Sequence, residues 1–231
     1  MAWFWLVATS FSCKTLCLIK KTHLDKLKTK YLRAIILKNE ITEHHKNLND
    51  EQDFIKKMIL FKNCFITLDI LRDSFNHFNE IQNENNKLAE KSRSLKKRLK
   101  FTNHIRNKIS GHLEEDLLEK AILWEPQIFK ANTKNNKEFQ VILSYKTLIE
   151  SAINSYLDEN LKQKVFDTEI DLLYTPNRTL FYNYIGEINI DSISFLNEII
   201  LVLENKIDFW TDEKMYEMAK KAGETEFKLK K

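Results

Sequence analysis

The scarcity of glycine and proline places the strongest limit on how this chain can fold. Only 3 Gly and 2 Pro occur among 231 residues, whereas the two together ordinarily make up about 12% of a sequence. Sandwiches, barrels and doubly wound sheets need tight turns, in which these two residues are common. The composition therefore disfavours sheet folds. Since the chain has no G-x-G and no GKS or GKT sequence, it also argues against glycine-rich phosphate-binding loops.

Apolar residues recur at helical spacing along most of the chain, which predicts an all-α fold, an antiparallel helical bundle. We expect an apolar N-terminal helix in residues 1–20 and a helical bundle in residues 21–131. Residues 138–231 supply further helices, which either complete that bundle or form a small second helical domain. Within this scheme Asp50 and Asp191 are predicted helix caps. A short hairpin is predicted in residues 166–184, with its turn at residues 175–177.

The N-terminal residues and the cysteines bear on location and on metal binding. Lys14 interrupts the apolar N-terminal stretch well short of the roughly 20 residues that a membrane span needs. We therefore expect this helix to be buried against the bundle or a partner chain, with a peripheral membrane anchor as the alternative. The three cysteines, Cys13, Cys17 and Cys64, are too few for a disulfide framework and are typical of a reducing, cytoplasmic compartment. No metal site and no cofactor are predicted.

A strongly basic run in the middle of the chain is the most informative feature for function. Eight lysines and arginines and no acidic residue lie between Lys91 and Lys108, a local charge of +8 in a chain whose total is +4. A helix of this kind is an electrostatic footprint for a polyanion, and its alternative is an ordinary solvated face. The predicted RNA-binding residues are Lys96, Lys97, Arg98, Lys100 and Lys108.

The basic run ends in the sequence Ile105-Arg106-Asn107-Lys108-Ile109-Ser110-Gly111-His112. An arginine, a polar residue and then a histidine after four to six intervening residues, within an all-helical chain, resembles the HEPN superfamily. Two other pairs have the same spacing, Arg72 with His77 and Arg98 with His104. Arg106 with His112 is preferred because the sequence around this pair is close to the commonest form of the family motif. Arg72 with His77 remains the alternative.

The apolar stripes on either side of this motif support the choice. Phe101, Ile105 and Ile109 form one stripe, and the apolar residues that begin at Leu117 would lie about half a turn away on the same helix. One straight helix cannot bury both sets against one core. A break is therefore predicted at Ser110 and Gly111, since glycine tolerates backbone conformations that end helices.

The resemblance implies a metal-independent endoribonuclease, acting as a toxin or in phage defence, in which Arg106, Asn107 and His112 carry the chemistry. It also implies a homodimer in which two motifs share one cleft, and an antitoxin or other partner protein is possible. Imidazole can exchange protons near neutral pH, and the planar fork of arginine suits a phosphate. The alternative is a non-catalytic helical module that binds a partner protein or a nucleotide.

Overall fold

The structure is a computed structural model that describes residues 4–111 and 114–222, with the backbone alone for residues 4–25. Within these residues the chain is helical and contains no strand, and one isolated antiparallel bridge joins Leu157 and Gln163. The prediction of an all-α fold is confirmed. The α-helices are α1 Phe4–Asp50, α2 Phe54–Ser74, α3 Asn79–Asn83, α4 Asn86–Arg106, α5 Glu115–Trp124, α6 Lys137–Asn154, α7 Thr175–Glu204 and α8 Asp212–Ala222.

Side-chain caps explain where several helices begin. Asp53 Oδ1 accepts a hydrogen bond of 2.9 Å from the backbone N–H of Lys56 and so caps α2. Asn85 caps α4 and Asn136 caps α6 in the same way. Each cap satisfies one of the backbone donors that the first turn of a helix leaves without a partner.

The structure corrects three details of the sequence prediction. Asp53, not Asp50, caps α2, since α1 continues through Asp50. The predicted hairpin turn at residues 175–177 is instead the first turn of α7, where a proline fits because an N–H there has no helical partner anyway. Asp191 does not start a helix but lies in the interior of α7.

The predicted break after α4 is confirmed. The α-helix ends at Arg106, and a π-helical turn, Asn107–Gly111, follows it. A new α-helix, α5, begins at Glu115. Three 3₁₀ helices complete the helical elements of the described chain, at Phe75–Phe78, Pro126–Phe129 and Ala131–Asn135.

The described chain divides into two compact units. The larger is Lys30–Ile200, and the smaller joins the first part of α1, up to Thr29, with residues from Leu201 onward. In the smaller unit Lys28 Nζ lies 4.2 Å from the centre of the Trp210 ring. The boundaries predicted from the sequence, after residue 20 and between residues 131 and 138, stay a prediction.

Aromatic side chains from α2, α4 and α7 fill the core of the larger unit. Phe61 on α2 packs against Phe181 on α7, with 5.2 Å between ring centroids. Phe75, in the 3₁₀ turn after α2, packs against Phe195 on α7 at 5.0 Å. Pairs in such tilted arrangements stabilise a core beyond the area they bury. They hold α7 against α2, and Phe101 on α4 packs against Tyr184 on α7 with 5.7 Å between ring centroids.

No helix in the described part of the chain combines the length and the apolar character that crossing a membrane requires. The side chains of the predicted N-terminal helix, including Cys13 and Cys17, lie outside the described residues.

Candidate functional site

A buried carboxylate on α2 connects two of the arginines singled out in the sequence. Asp69 is almost fully buried. Its Oδ1 accepts a hydrogen bond of 2.7 Å from Asn103 Nδ2 and forms an ion pair with Arg72 Nη2 at 3.0 Å. Its Oδ2 lies 3.7 Å from Arg106 Nε. A buried carboxylate needs such partners, because removing its charge from water without compensation is costly.

Arg106, the last residue of α4, is held at both ends of its guanidinium. Its Nε faces Asp69, and its Nη1 donates a hydrogen bond of 3.1 Å to Asn107 Oδ1. The side chain is 37% exposed, so the group is positioned by the buried Asp69 and the exposed Asn107 and still reaches solvent. Among the described residues Arg106 Nη2 has no hydrogen-bond partner, which leaves it free to bind an anion.

Two polar atoms at this site are buried without a hydrogen bond. They are Arg106 Nε, whose contact with Asp69 is too long for one, and Ser110 Oγ, four residues further on. Buried polar groups in proteins are nearly always hydrogen-bonded, so two orphans in one short segment are unusual. Both can donate, and an anion is the ligand that donors of this kind bind.

The backbone of this segment is also unusual. Asn107–Gly111 forms a π-helical turn, in which the hydrogen bonds span five residues rather than four. Single π-helical turns are rare and are found frequently at functional sites. His112 follows this turn in the sequence but lies outside the described residues.

The structure brings the first alternative arginine to the same carboxylate. Arg72 binds Asp69, and its Nη2 also lies 2.9 Å from Asp73 Oδ1. His77 lies exposed on the 3₁₀ turn Phe75–Phe78. Arg72 and Arg106 therefore share a counter-ion across the interface of α2 and α4.

The second alternative pair has structural roles. Arg98 forms ion pairs with Glu187 and Asp191 on α7 and lies 5.1 Å from the centre of the Tyr184 ring. His104 Nε2 lies 3.0 Å from Ser155 Oγ. Burial lowers the pKa of His104, and the charge of Lys108 lowers it further. Both residues hold α4 against its neighbours.

The predicted RNA-binding residues fall into two groups. Arg98 is paired with α7, Lys108 is paired with Glu114, and Lys96 Nζ lies 5.0 Å from the centre of the Phe75 ring. Lys97 and Lys100 are exposed, and neither has an ion pair within the described residues. Within the described residues Lys96, Lys97 and Lys100 form no ion pair with a carboxylate, and of these three only Lys97 and Lys100 are exposed.

Asp69 and Asn103 belong to the site but were missed by sequence reasoning. One signal was available for Asp69, since it occupies an apolar position in the helical pattern of α2, next to Leu68 and four residues after Phe65. A carboxylate at such a position needs a buried partner. The sequence gives no comparable signal for Asn103.

The described residues contain no group of three His, Cys, Asp or Glu side chains placed to hold a metal ion. Comparison of the chain with protein-family models, curated proteins and solved structures found no match.

Proposed function

We propose that the chain is a metal-independent endoribonuclease of HEPN type, acting as a toxin or in phage defence, with Arg106, Asn107 and His112 at its site. The observation that carries this proposal is the state of Arg106. Its guanidinium is held by Asp69 and Asn107, its Nη2 has no hydrogen-bond partner among the described residues, and Ser110, four residues further on, has a buried hydroxyl without a partner. Donors held in place before a charge develops stabilise a transition state without reorganisation.

The proposed chemistry needs two proton transfers and one cation. The ribose 2′-oxygen attacks the phosphorus as its proton passes to a base, and the bond to the 5′-oxygen breaks as an acid protonates that oxygen. Arg106 holds the pentacovalent phosphate, and His112 exchanges a proton near neutral pH. The products are a 2′,3′-cyclic phosphate and a 5′-hydroxyl. One chain supplies a single motif, so a second copy supplies the second histidine.

The exposed surface of α5 supports an interface with a second copy. Leu123 is 82% exposed, and Phe129, just after α5, is 68% exposed. An apolar groove of about 440 Å³ runs beside them, and its lining includes Leu118, Ile122, Phe129 and Tyr145, with Lys62 as its one charged residue. Interface cores are poor in charge and rich in aromatic residues. In the chain, α5 begins four residues after Gly111, so this surface follows the site closely in sequence.

The same surface also favours the alternative, a non-catalytic module that binds a partner protein. One measurement distinguishes the ribonuclease from the interaction module: whether the purified chain cuts RNA. A chain that forms a complex through α5 and leaves RNA intact under all conditions would be an interaction module.

The direct test compares RNA cleavage by three variants in the presence of EDTA. We expect Arg106→Ala and His112→Ala each to lower cleavage at least about a hundredfold, the usual effect of removing one transition-state donor. Arg93→Ala is the matched control, since Arg93 is an exposed arginine on α4 whose one side-chain hydrogen bond is to Ala89. Cleavage that resists EDTA and persists in both site variants would overturn the assignment. Loss in His77→Ala instead would transfer the site to Arg72 and His77.

A further inference from the structure

A second cavity lies apart from the Asp69–Arg106 site. Its volume is about 220 Å³, and its lining comes from the end of α1, the start of α2 and the middle of α7. None of Asp69, Arg72 and Arg106 lines it. Pockets for drug-sized ligands measure about 300–1,000 Å³, so this cavity suits a smaller molecule. The lining residues are His45, Leu48, Asn49, Lys57, Phe61, Thr179, Tyr182, Asn183, Ile185, Gly186 and Asn189.

Asn189 presents an unsatisfied donor at this cavity. The residue is fully buried, and its Nδ2 has no hydrogen-bond partner in the described part of the chain. Its Oδ1 accepts a hydrogen bond of 3.4 Å from the Cys64 thiol, which fixes the orientation of the amide. A buried N–H₂ group without a partner is rare in proteins, and a bound acceptor would satisfy it.

Gly186 keeps one wall of the cavity open. It is one of only 3 glycines in the chain, and it lies in the interior of α7, where glycine is a poor helix former. A Cβ atom at this position would lie 3.9 Å from His45 Cε1, which is an ordinary contact. Packing within the chain therefore does not require glycine here, whereas an alanine methyl group would take up space beside the cavity.

The charges around the cavity favour an anion. Lys57 is the one charged side chain of its lining, which includes no aspartate or glutamate. Lys57 Nζ lies 5.3 Å from the centre of the Tyr182 ring. Burial raises the pKa of Tyr182 to about 12, so its hydroxyl keeps its proton and adds a donor. Phe61 and Ile185 add buried apolar surface.

We propose that this cavity binds a small organic carboxylate. The ligand's carboxylate accepts hydrogen bonds from Asn189 Nδ2 and is attracted by the positive charge of Lys57. The apolar part of the ligand packs against Phe61 and Ile185. The cavity volume limits the ligand to the size of a single ring or a short branched chain. This site is independent of the Arg106 site and does not require the chain to be a ribonuclease.

The test titrates benzoate into the full chain and follows the backbone and side-chain amides by nuclear magnetic resonance. We expect saturable shifts at Gly186 and at the Asn189 side chain, with a dissociation constant on the order of 1 mM or lower, as ligand efficiency allows for so small a molecule. Benzyl alcohol, which has the ring without the charge, and inorganic phosphate, which has charge without the ring, should each bind at least tenfold more weakly.

Gly186→Ala separates ligand binding from folding. Alanine is the better helix former, so the variant should melt at the same temperature as the parent chain or higher, yet bind benzoate at least tenfold more weakly. Asn189→Asp should weaken binding by charge repulsion, and Asn197→Ala, elsewhere on α7, should leave it unchanged. Absence of saturable shifts, full binding by Gly186→Ala, or equal binding of phosphate would each overturn the proposal.

Discussion

Asp69 shows how one residue can organise a site that its sequence neighbours do not reveal. Its Oδ1 binds Arg72 and Asn103, and its Oδ2 faces Arg106, so residues from two helices share one buried carboxylate. The motif pattern predicted Arg106 and Asn107, because it depends on local spacing. It could not predict that Arg72, from an alternative motif, lies at the same place, because that depends on how α2 packs against α4.

A second buried group, Glu150 on α6, gives the molecule a titration near neutral pH. Lys146 Nζ lies 3.0 Å from Glu125 Oε2 and 3.2 Å from Glu150 Oε2, so one lysine serves two buried carboxylates. Glu150 Oε1 also accepts a hydrogen bond from the backbone N–H of Leu172. Burial outweighs these favourable partners and raises the pKa of Glu150 to about 7.

This raised pKa predicts that the protein loses stability as the pH rises from about 4.5 to about 7. In that pH window Glu150 of the folded chain keeps a proton that the unfolded chain has released. The stabilisation that this proton provides is complete below the pKa of Glu150 in the unfolded chain. It is lost as the pH rises past the pKa of Glu150 in the folded chain. The loss is about 3 kcal/mol. Urea unfolding across this pH range measures it.

Glu150→Gln tests the assignment, because glutamine keeps the acceptor for Leu172 and cannot ionise. The variant should lose most of the decline in stability between these pH values and be more stable than the parent chain at pH 8. An unchanged pH slope in Glu150→Gln would show that another group is responsible. Glu119→Gln, an exposed acidic position on α5, is the control.

At the scale of the element, α4 divides its basic residues between two roles. Lys91 and Arg98 bind carboxylates on α7 and so attach α4 to the core. Lys97 and Lys100 face solvent. The run of charge in the sequence predicted a polyanion surface, but it could not show this division. The acidic partners lie 89 to 107 residues away along the chain, on α7, and the packing of α7 against α4 decides which basic residues are paired.

The division predicts different results for substitutions a few residues apart. Lys97→Gln and Lys100→Gln should each weaken RNA binding and lower the slope of log affinity against log salt by about 1, since each removes one phosphate contact. Arg98→Gln should instead lower the free energy of unfolding, because Glu187 and Asp191 lose their partner.

The measurement is RNA affinity by fluorescence anisotropy from low to moderate salt, with urea unfolding in parallel. Lys46→Gln, at an exposed position on α1, is the control and should change neither quantity. A flat salt response in the parent chain would mean that α4 is only a solvated face.

The errors in predicting α7 have a physical cause at the same scale. A threonine, a proline and an asparagine in succession are common in turns, but a proline is also suited to the first turn of a helix. Local sequence cannot distinguish a turn from the start of a helix. The helix is stabilised by buried contacts that Phe181 and Phe195 make with α2 and the turn that follows it. In the same way, aspartate is a residue type common at the start of helices, yet Asp191 lies within α7 and pairs with Arg98 on α4.

At the scale of the whole molecule, the proposed chemistry requires two chains, since each supplies a single Arg106 and a single His112. Periodicity and composition were enough to predict the helical fold. They could not predict which apolar residues remain exposed after folding, since that depends on which helices cover them. The structure answers this for α5, where Leu118, Ile122 and Leu123 remain exposed.

We therefore expect the chain to be a dimer in solution and Ile122→Glu to make it a monomer without RNA cleavage, because a buried charge opposes association. Ile36→Glu, at an exposed apolar position on α1, is the matched control and should leave the dimer intact. Sedimentation and the cleavage assay give the two readouts. An Ile122→Glu variant that stays dimeric would exclude this face as the interface.

Co-expression of Arg106→Ala with His112→Ala then tests whether the site is shared. Each variant alone forms a dimer that lacks one of the two groups entirely, and neither should cut RNA. The mixed dimer has one intact Arg106 and one intact His112, on different chains. Since one of the two proton transfers then lacks its histidine, only a small part of the activity should return, and only if both groups face one cleft. Adding Ile122→Glu to both chains should abolish that recovery, because separate chains cannot combine their groups. Recovery that survives Ile122→Glu, or active single variants, would contradict a composite site formed across the α5 face.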